Sequence, residues 1–181
     1  MEPSLQHASW LGDDKPVDPG KLRRSLGLLP TGVTVITTVA PDGRRVGLTA
    51  NSIASVSMDP PLILWSLSNR SQNLDLFSQC SHFAINVLAF DQEDLCSRFA
   101  TPGIVDKFAG TAGHPGVNGA PLLDGAVAQF ECVAYAQHPG GDHRIFIGRI
   151  EAYRWSDRTP LMFCQGALMP ANRENSRQAV T

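Results

Sequence analysis

The chain has 181 residues, 43% of them apolar and 18% charged, with a formal net charge of −2. That suits one domain with a real core. It leaves no basic excess to neutralise a nucleic-acid backbone, and no apolar run reaches the ~18–20 residues a membrane span needs. The N-terminus, MEPSLQHASWLGDDK, lacks the basic start and apolar stretch of a secretory signal, so the cytoplasm is the expected location. Residues 1–17 read as a flexible polar segment, 18–168 as the folded domain and 169–181 as a polar tail.

In chain order, Asp18-Pro19 reads as a helix start, and Leu22, Leu26 and Leu29 follow at amphipathic spacing until Pro30-Thr31-Gly32 breaks the pattern. The β-branched run 33–39 predicts a strand, Pro41-Asp42-Gly43 a turn, and 45–48 a second strand that completes a hairpin. Asp59-Pro60-Pro61 is a stiff corner before a buried strand over 62–67. Ser71 is positioned to cap a short helix carrying Leu74 and Phe77. A strand covers 82–88, and Asp91 is positioned to cap a helix with Leu95 and Phe99 one turn apart. Residues 101–125, rich in Gly and Pro, predict a long irregular loop of the kind that is often functional. Alternation over 126–137 and 143–155, around His138-Pro139-Gly140-Gly141-Asp142, predicts a long hairpin. At least six strands with few helices argue for an antiparallel barrel, and the absence of a βαβ rhythm and of GxGxxG argues against a Rossmann domain.

The stretch GLTANSIASVSMDPPLILWSL (47–67) carries Thr49, Asn51, Ser52, Ser55 and Ser57, with no charge from 48 to 58. An edge strand's solvent face would explain the hydroxyls, but such a face usually carries Lys, Glu or Arg. A neutral cradle for a phosphate or the polar edge of a flat heterocycle also explains them, because hydroxyls and amides desolvate more cheaply than charges. Cys80, Cys96, Cys132 and Cys164 form no CxxC pair and no metal-ligand spacing with histidine. They read as buried small hydrophobes, with a zinc site or a thiol nucleophile as the alternatives, and no metal is expected. His143 is either an ordinary hairpin residue or a functional imidazole that shares its strand face with Ile145 and Ile147.

The strings PTGVTVITT (30–38), GLTANSIASVSMDPPLILWSL (47–67), FAINVL (83–88), SRFA (97–100) and GDHRIFIGRI (141–150) resemble, in order and spacing, the short-chain flavin reductases. These are the reductase components of two-component flavin-dependent monooxygenases. The resemblance runs from about residue 20 to about residue 162. It implies a mainly β fold: an antiparallel FMN-binding split β-barrel with a few short helices.

By the same resemblance, Thr49, Ala50, Asn51 and Ser52 line the flavin ring edge and ribityl chain, with Ser55, Val56 and Ser57 beside them. Pro30, Thr31, Gly32 and Val33 close on the flavin's other side. Ser66, Asn69, Arg70 and Ser71 resemble a phosphate-contacting turn in which Arg70 offers a positive fork. Phe99 is implied near the isoalloxazine. Gly141, Asp142 and His143 face the nicotinamide cofactor. His143 is the candidate catalytic residue, its imidazole holding the carboxamide or pyrophosphate.

The implied activity is hydride transfer from NADH or NADPH to FMN or FAD. Reduced flavin then passes to a partner monooxygenase, and a homodimer carries the flavin near its seam. No residue plainly reads an adenine, and Arg44, Arg45 and Arg144 are the side chains that could meet a 2′-phosphate. The 161–166 segment, Leu-Met-Phe-Cys-Gln-Gly, departs from the aromatic or basic element common there in the family. That departure motivates the alternative: a flavoprotein with tightly bound FMN or FAD acting directly on an organic substrate.

Overall fold

The structure, a computed structural model, describes residues 16–171. The segment expected to be flexible at 1–17 and the tail expected at 169–181 fall almost wholly outside the described residues. Asp18 caps helix α1 (Pro19–Leu26) by accepting the Lys21 N–H at 2.7 Å, with Pro19 in the first turn. Gly27 ends the helix, so Leu29 lies beyond it. Leu22, Leu26, Leu28 and Leu29 are all exposed in the single chain.

Strands follow in close succession: β1 (Thr31–Gly32), β2 (Thr34–Val39), β3 (Arg45–Ala50), β4 (Ile53–Met58) and β5 (Pro61–Ser68). Helix α2 (Leu74–Gln79) leads to β6 (His82–Val87), and a 3₁₀ turn leads to helix α3 (Glu93–Ala100). The rest is strand: β7 (Gly113–Pro115), β8 (Pro121–Leu123), β9 (Ala128–Gly140), β10 (His143–Trp155), β11 (Leu161–Cys164) and β12 (Ala167–Pro170). Three local expectations are corrected. Residues 101–125 are not irregular throughout, because β7 and β8 pair there as a two-stranded ribbon. Ser71 does not cap α2: the chain first turns (Ser71 N–H to Ser68 C=O, 2.9 Å), and the Ser71 hydroxyl accepts the Asn73 N–H instead. Asp91 does not cap α3. It lies inside the 3₁₀ turn and pairs with Arg158, while Gln92 reaches back to the Ala89 N–H at 3.0 Å.

The main sheet runs β3-β2-β6-β9-β10-β5-β4, antiparallel throughout. Its two edges, β3 and β4, are consecutive in the chain and joined only by Asn51 and Ser52. Seven strands laid flat would separate the edges by roughly 29 Å, whereas two residues span about 7 Å. The sheet therefore curls until β3 lies against β5, a barrel with one seam between its edges. A smaller sheet, β1-β11-β12, joins the main sheet at Val33, whose N–H donates to the Leu161 carbonyl at 3.0 Å and whose carbonyl accepts the Leu88 N–H at 2.9 Å.

Trp65 forms the centre of the interior. It stacks on Phe146 at 4.6 Å and meets Phe77 and Phe83 edge-on at 5.1 and 5.9 Å. Burying such rings is worth several kcal/mol each before entropy is charged. A second cluster, Val33, Val35, Leu88, Phe99, Phe108, Leu123 and Leu161, packs α3 and the small sheet against the barrel wall. Asn86 is fully buried and satisfied on both ends. Its amide donates to the Val35 and Pro121 carbonyls, and its oxygen accepts from the Leu123 N–H and Gln129 at 2.8 Å each. This bolts β8, and with it the ribbon, to the barrel.

Candidate active site

Alternation on β10 puts Arg144, Phe146 and Gly148 towards the interior side and His143, Ile145 and Ile147 on the outer face. Register extends that outer face across the neighbouring strands. His143 is opposite Ser68, Ile145 opposite Ser66, and Ile147 opposite Leu64, which in turn is opposite Ala54. On the other side His138 is opposite Ile145 and Ala136 opposite Ile147. None of these side chains is an acid, a lysine or an arginine; the next outward row, Leu62 and Arg149, brings the first charge. The result is an uncharged, half-buried strip with an apolar middle. It is bordered by edge strand β4, whose outward backbone groups have no ladder partner.

One end of the strip is built from two turns that meet. The β9–β10 hairpin turns through Gly141 and Asp142, with Gly141 at φ +70°, a value glycine adopts without strain. Asn69, just past β5, donates its backbone N–H to the Asp142 carbonyl at 2.9 Å and its side-chain amide to the Gly141 carbonyl at 3.1 Å. The His143 Nδ1 lies 2.7 Å from the Asp142 carboxylate. That hydrogen bond first, then the imidazole's charge, holds the Asp142 carboxyl below the usual range, and Arg70 acts in the same direction from the neighbouring turn. A carboxylate can only accept, so Nδ1 carries the proton and Nε2 is left for a ligand.

Across β5 from Ile145, the β3–β4 junction gathers Thr31, Asn51, Ser52 and Ser66. Asn51 donates to the Thr31 hydroxyl at 3.2 Å, and the Ser52 hydroxyl donates to the Ser66 carbonyl at 3.0 Å and accepts the Ser66 N–H. Pro30 is exposed, and Gly32 has open space where a Cβ would stand. Ser55 and Val56 are exposed and Ser57 half-buried along β4. A bulge leaves Val56 unpaired and shifts the register between Ser55 and Ser57. Ser71 follows Arg70 and is half-buried.

Four predicted residues stand away from this strip. The Phe99 ring is 1% exposed, edge-on to Phe108 and against Gly47, where a Cβ would come within 2.6 Å of it. Val33 belongs to the same buried cluster. Thr49 lies beneath α3 and donates its hydroxyl to the Cys96 carbonyl at 2.7 Å. Ala50 is buried, its carbonyl accepting from Thr34. Arg144, weighed for a 2′-phosphate, instead ties down α2 through the Ser78 hydroxyl at 2.9 Å. Sequence reasoning missed Ser68, Leu64 and Ala54; their faces follow only from the β10–β5–β4 register. Clefts of about 400 Å³ (Thr38, Asp75, Cys80, His82, Asn118) and about 310 Å³ (Arg45, Phe108, His114, Leu122) open elsewhere and contain none of the predicted site residues.

The strip's neutrality suits a flat, partly apolar heterocycle, and the Arg70 turn at its end suits an anionic tail. Known proteins resemble the chain as a whole. The FMN reductase (NADH) SmoA of Agrobacterium fabrum is 41% identical over 152 residues, covering 84% of this chain and 86% of its own. An NADH-dependent flavin reductase of a Rhodococcus species is 38% identical over 85% of this chain and 87% of its own. Some other relatives are longer: the chain spans 47% of the reductase component of a flavin-dependent trigonelline monooxygenase from Acinetobacter baylyi. Among solved structures, the NADH:FAD oxidoreductase SgcE6 of Streptomyces globisporus, in complex with NAD and FAD fragments, superposes with a TM-score of 0.82. It is 36% identical, covering 90% of this chain and 99% of that one. The profile of the flavin reductase like domain matches residues 26–172, and the chain belongs to that family.

Proposed function

We propose that this protein is an NADH-dependent flavin reductase, and that its reduced flavin serves a partner monooxygenase. The observation that carries this reading is the position of His143, held by Asp142 at the end of an uncharged sheet strip with Arg70 one turn away. Flavin bound on the strip supplies an electrophilic ring that accepts hydride from the nicotinamide. What the chain contributes is placement. Leu64, Ile145 and Ile147 offer an apolar floor that sheds water from the reacting faces, which strengthens alignment and excludes side reactions. Ser52, Ser66 and the free groups of β4 supply neutral hydrogen-bonding partners for a polar ring edge. Arg70 offers a cation for a phosphate, and the His143 Nε2 points the second substrate. No general base is required, since the donor carbon gives up hydride and nothing there is deprotonated.

The named activities of the relatives at 41% and 38% identity support NADH as donor, and a monooxygenase as recipient is supported by the relatives that are reductase components. Exposed Leu22, Leu26 and Leu29 on and beyond α1, with Met58 on the β4 corner, support a homodimer. All four cysteines are unpaired and no described helix is long and apolar enough to cross a membrane, which supports a cytoplasmic setting. The test is anaerobic mixing of the protein with FMN or FAD and then NADH or NADPH. The flavin's yellow absorbance bleaches with NADH; no bleaching with either nucleotide defeats the reading. Flavin affinity is measured alongside: micromolar binding fits a diffusible flavin, and nanomolar binding fits a prosthetic one.

A further inference from the structure

The two turns at the end of the strip come from residues far apart in sequence, and one side chain joins them. Asn69 and Gly141 are 72 residues apart. We infer that Asn69 is a positioning residue for His143, not a ligand of the flavin phosphate, and that it sets the affinity for the nicotinamide nucleotide. This rests on the function proposed above.

Asn69 makes two hydrogen bonds to a turn that has only two central residues. The Asp142 carbonyl belongs to the peptide between Asp142 and His143, and the Gly141 carbonyl to the peptide between Gly141 and Asp142. Holding both carbonyls fixes the peptide plane on each side of Asp142, and so fixes the direction of its side chain. Asp142 in turn holds the His143 ring through Nδ1 at 2.7 Å.

Packing does little of this work. The Asp142 side chain is 92% exposed and that of His143 is 43% exposed. An exposed pair of this kind is weak unless the backbone already presents both partners in register. Glycine at position 141, with its positive φ, makes the turn easy to form but also easy to deform, so an external tether has a job to do. One of the two N–H donors of the side-chain amide is already committed to the Gly141 carbonyl. The charged groups that act on the Asp142 carboxylate are His143 and Arg70, the latter from the β5–α2 turn.

The experiment is a double-mutant cycle with Asn69→Ala and His143→Ala in the full chain. NADH KM, kcat and flavin Kd are measured for each, and thermal melts verify that each variant is folded. The expected loss in Asn69→Ala is that of about one tethering hydrogen bond, an NADH KM raised about fivefold, larger than any change in kcat, with flavin Kd shifted less than about twofold. Because Asn69 acts through His143, the double variant matches His143→Ala alone. Additive losses, or a loss that falls on flavin Kd, overturn the inference and return Asn69 to the phosphate. If His143→Ala leaves NADH KM unchanged, the reading of the site itself fails. If His143→Ala raises it while Asn69→Ala does not, only the positioning role fails. Binding of NAD⁺, followed by its protection of the turn amides in NMR spectra, gives a readout independent of turnover. In Asn69→Ala the Asp142 and His143 amides lose that protection.

Discussion

At the scale of single residues, two glycines mark where the barrel has no room. A Cβ on Gly148 would sit 2.4 Å from Phe83 Cζ and 2.8 Å from Cys132 Cβ, both inside the core. The second of these is held by the backbone and cannot swing away. Gly148→Ala is expected to cost about 2–3 kcal/mol by overpacking, read as a lower urea midpoint with an unchanged m-value. Gly47 likewise leaves room for the Phe99 ring, whose Cε1 would lie 2.6 Å from an added Cβ. That explains why Phe99, in a block that resembles a flavin-contacting one, packs inward: its neighbour offers a hole of the right size. A glycine in a strand is a legible signal of close approach, but the approaching group cannot be read from sequence alone.

At the scale of elements, the 113–123 ribbon is held by a polar network in which Asn86 is joined by Thr37, Gln129 and Glu131, bonded respectively to the Pro121 carbonyl, the Leu123 carbonyl and the Val117 N–H. Asn86 offers both ends of its amide to β2, β8 and Gln129 of β9, at 0% exposure. Asn86→Ala leaves the buried Leu123 N–H without its acceptor, while the Gln129 amide keeps the Leu123 carbonyl at 2.8 Å. The expected loss is about 2–3 kcal/mol, combining one unsatisfied backbone N–H with a small cavity. It should appear first as faster hydrogen exchange in 113–123, ahead of the barrel strands; uniform exchange across the molecule would show that the ribbon and barrel are one unit. The loop was foreseen from its Gly and Pro content, but its ribbon was not. Three-residue strands carry too little periodicity to register, and their partner is supplied by a buried side chain on β6. The hairpins β2–β3 and β9–β10 were legible because alternation and turn chemistry agree locally over many residues.

For the whole molecule, the buried thiols give the fold a pH limit. Cys132 is pushed up to about 12, first by burial and then by the nearby Glu131 and Glu151 charges; Cys80 and Cys96 are raised as well, chiefly by burial. The unfolded thiol releases its proton near its ordinary value while the folded one holds it. Between about pH 9 and about pH 12 the unfolded state therefore binds fewer protons, and stability falls as pH rises, by up to ~1.4 kcal/mol per unit for Cys132. Below the ordinary thiol range neither state ionises and the effect vanishes. Urea midpoints at about pH 8 and about pH 10 should differ in that direction, and the difference should shrink in Cys132→Ala. A rise in stability over that interval would contradict the burial of Cys132.

The sequence by itself determined the longer strands, the hairpin turns and the neutrality of the 48–58 stretch, because period-two alternation, glycine and proline chemistry and charge are local properties. It also carried the motif blocks that identify the family. Only the tertiary structure decided which of the hydroxyls are free. Thr49 is spent on the Cys96 carbonyl, a bulge at Val56 shifts the β4 side chains, and Asn69 is committed to a turn 72 residues away. Side-chain facing depends on register, and register depends on which strands become neighbours once the sheet has curled to bring its two edges together.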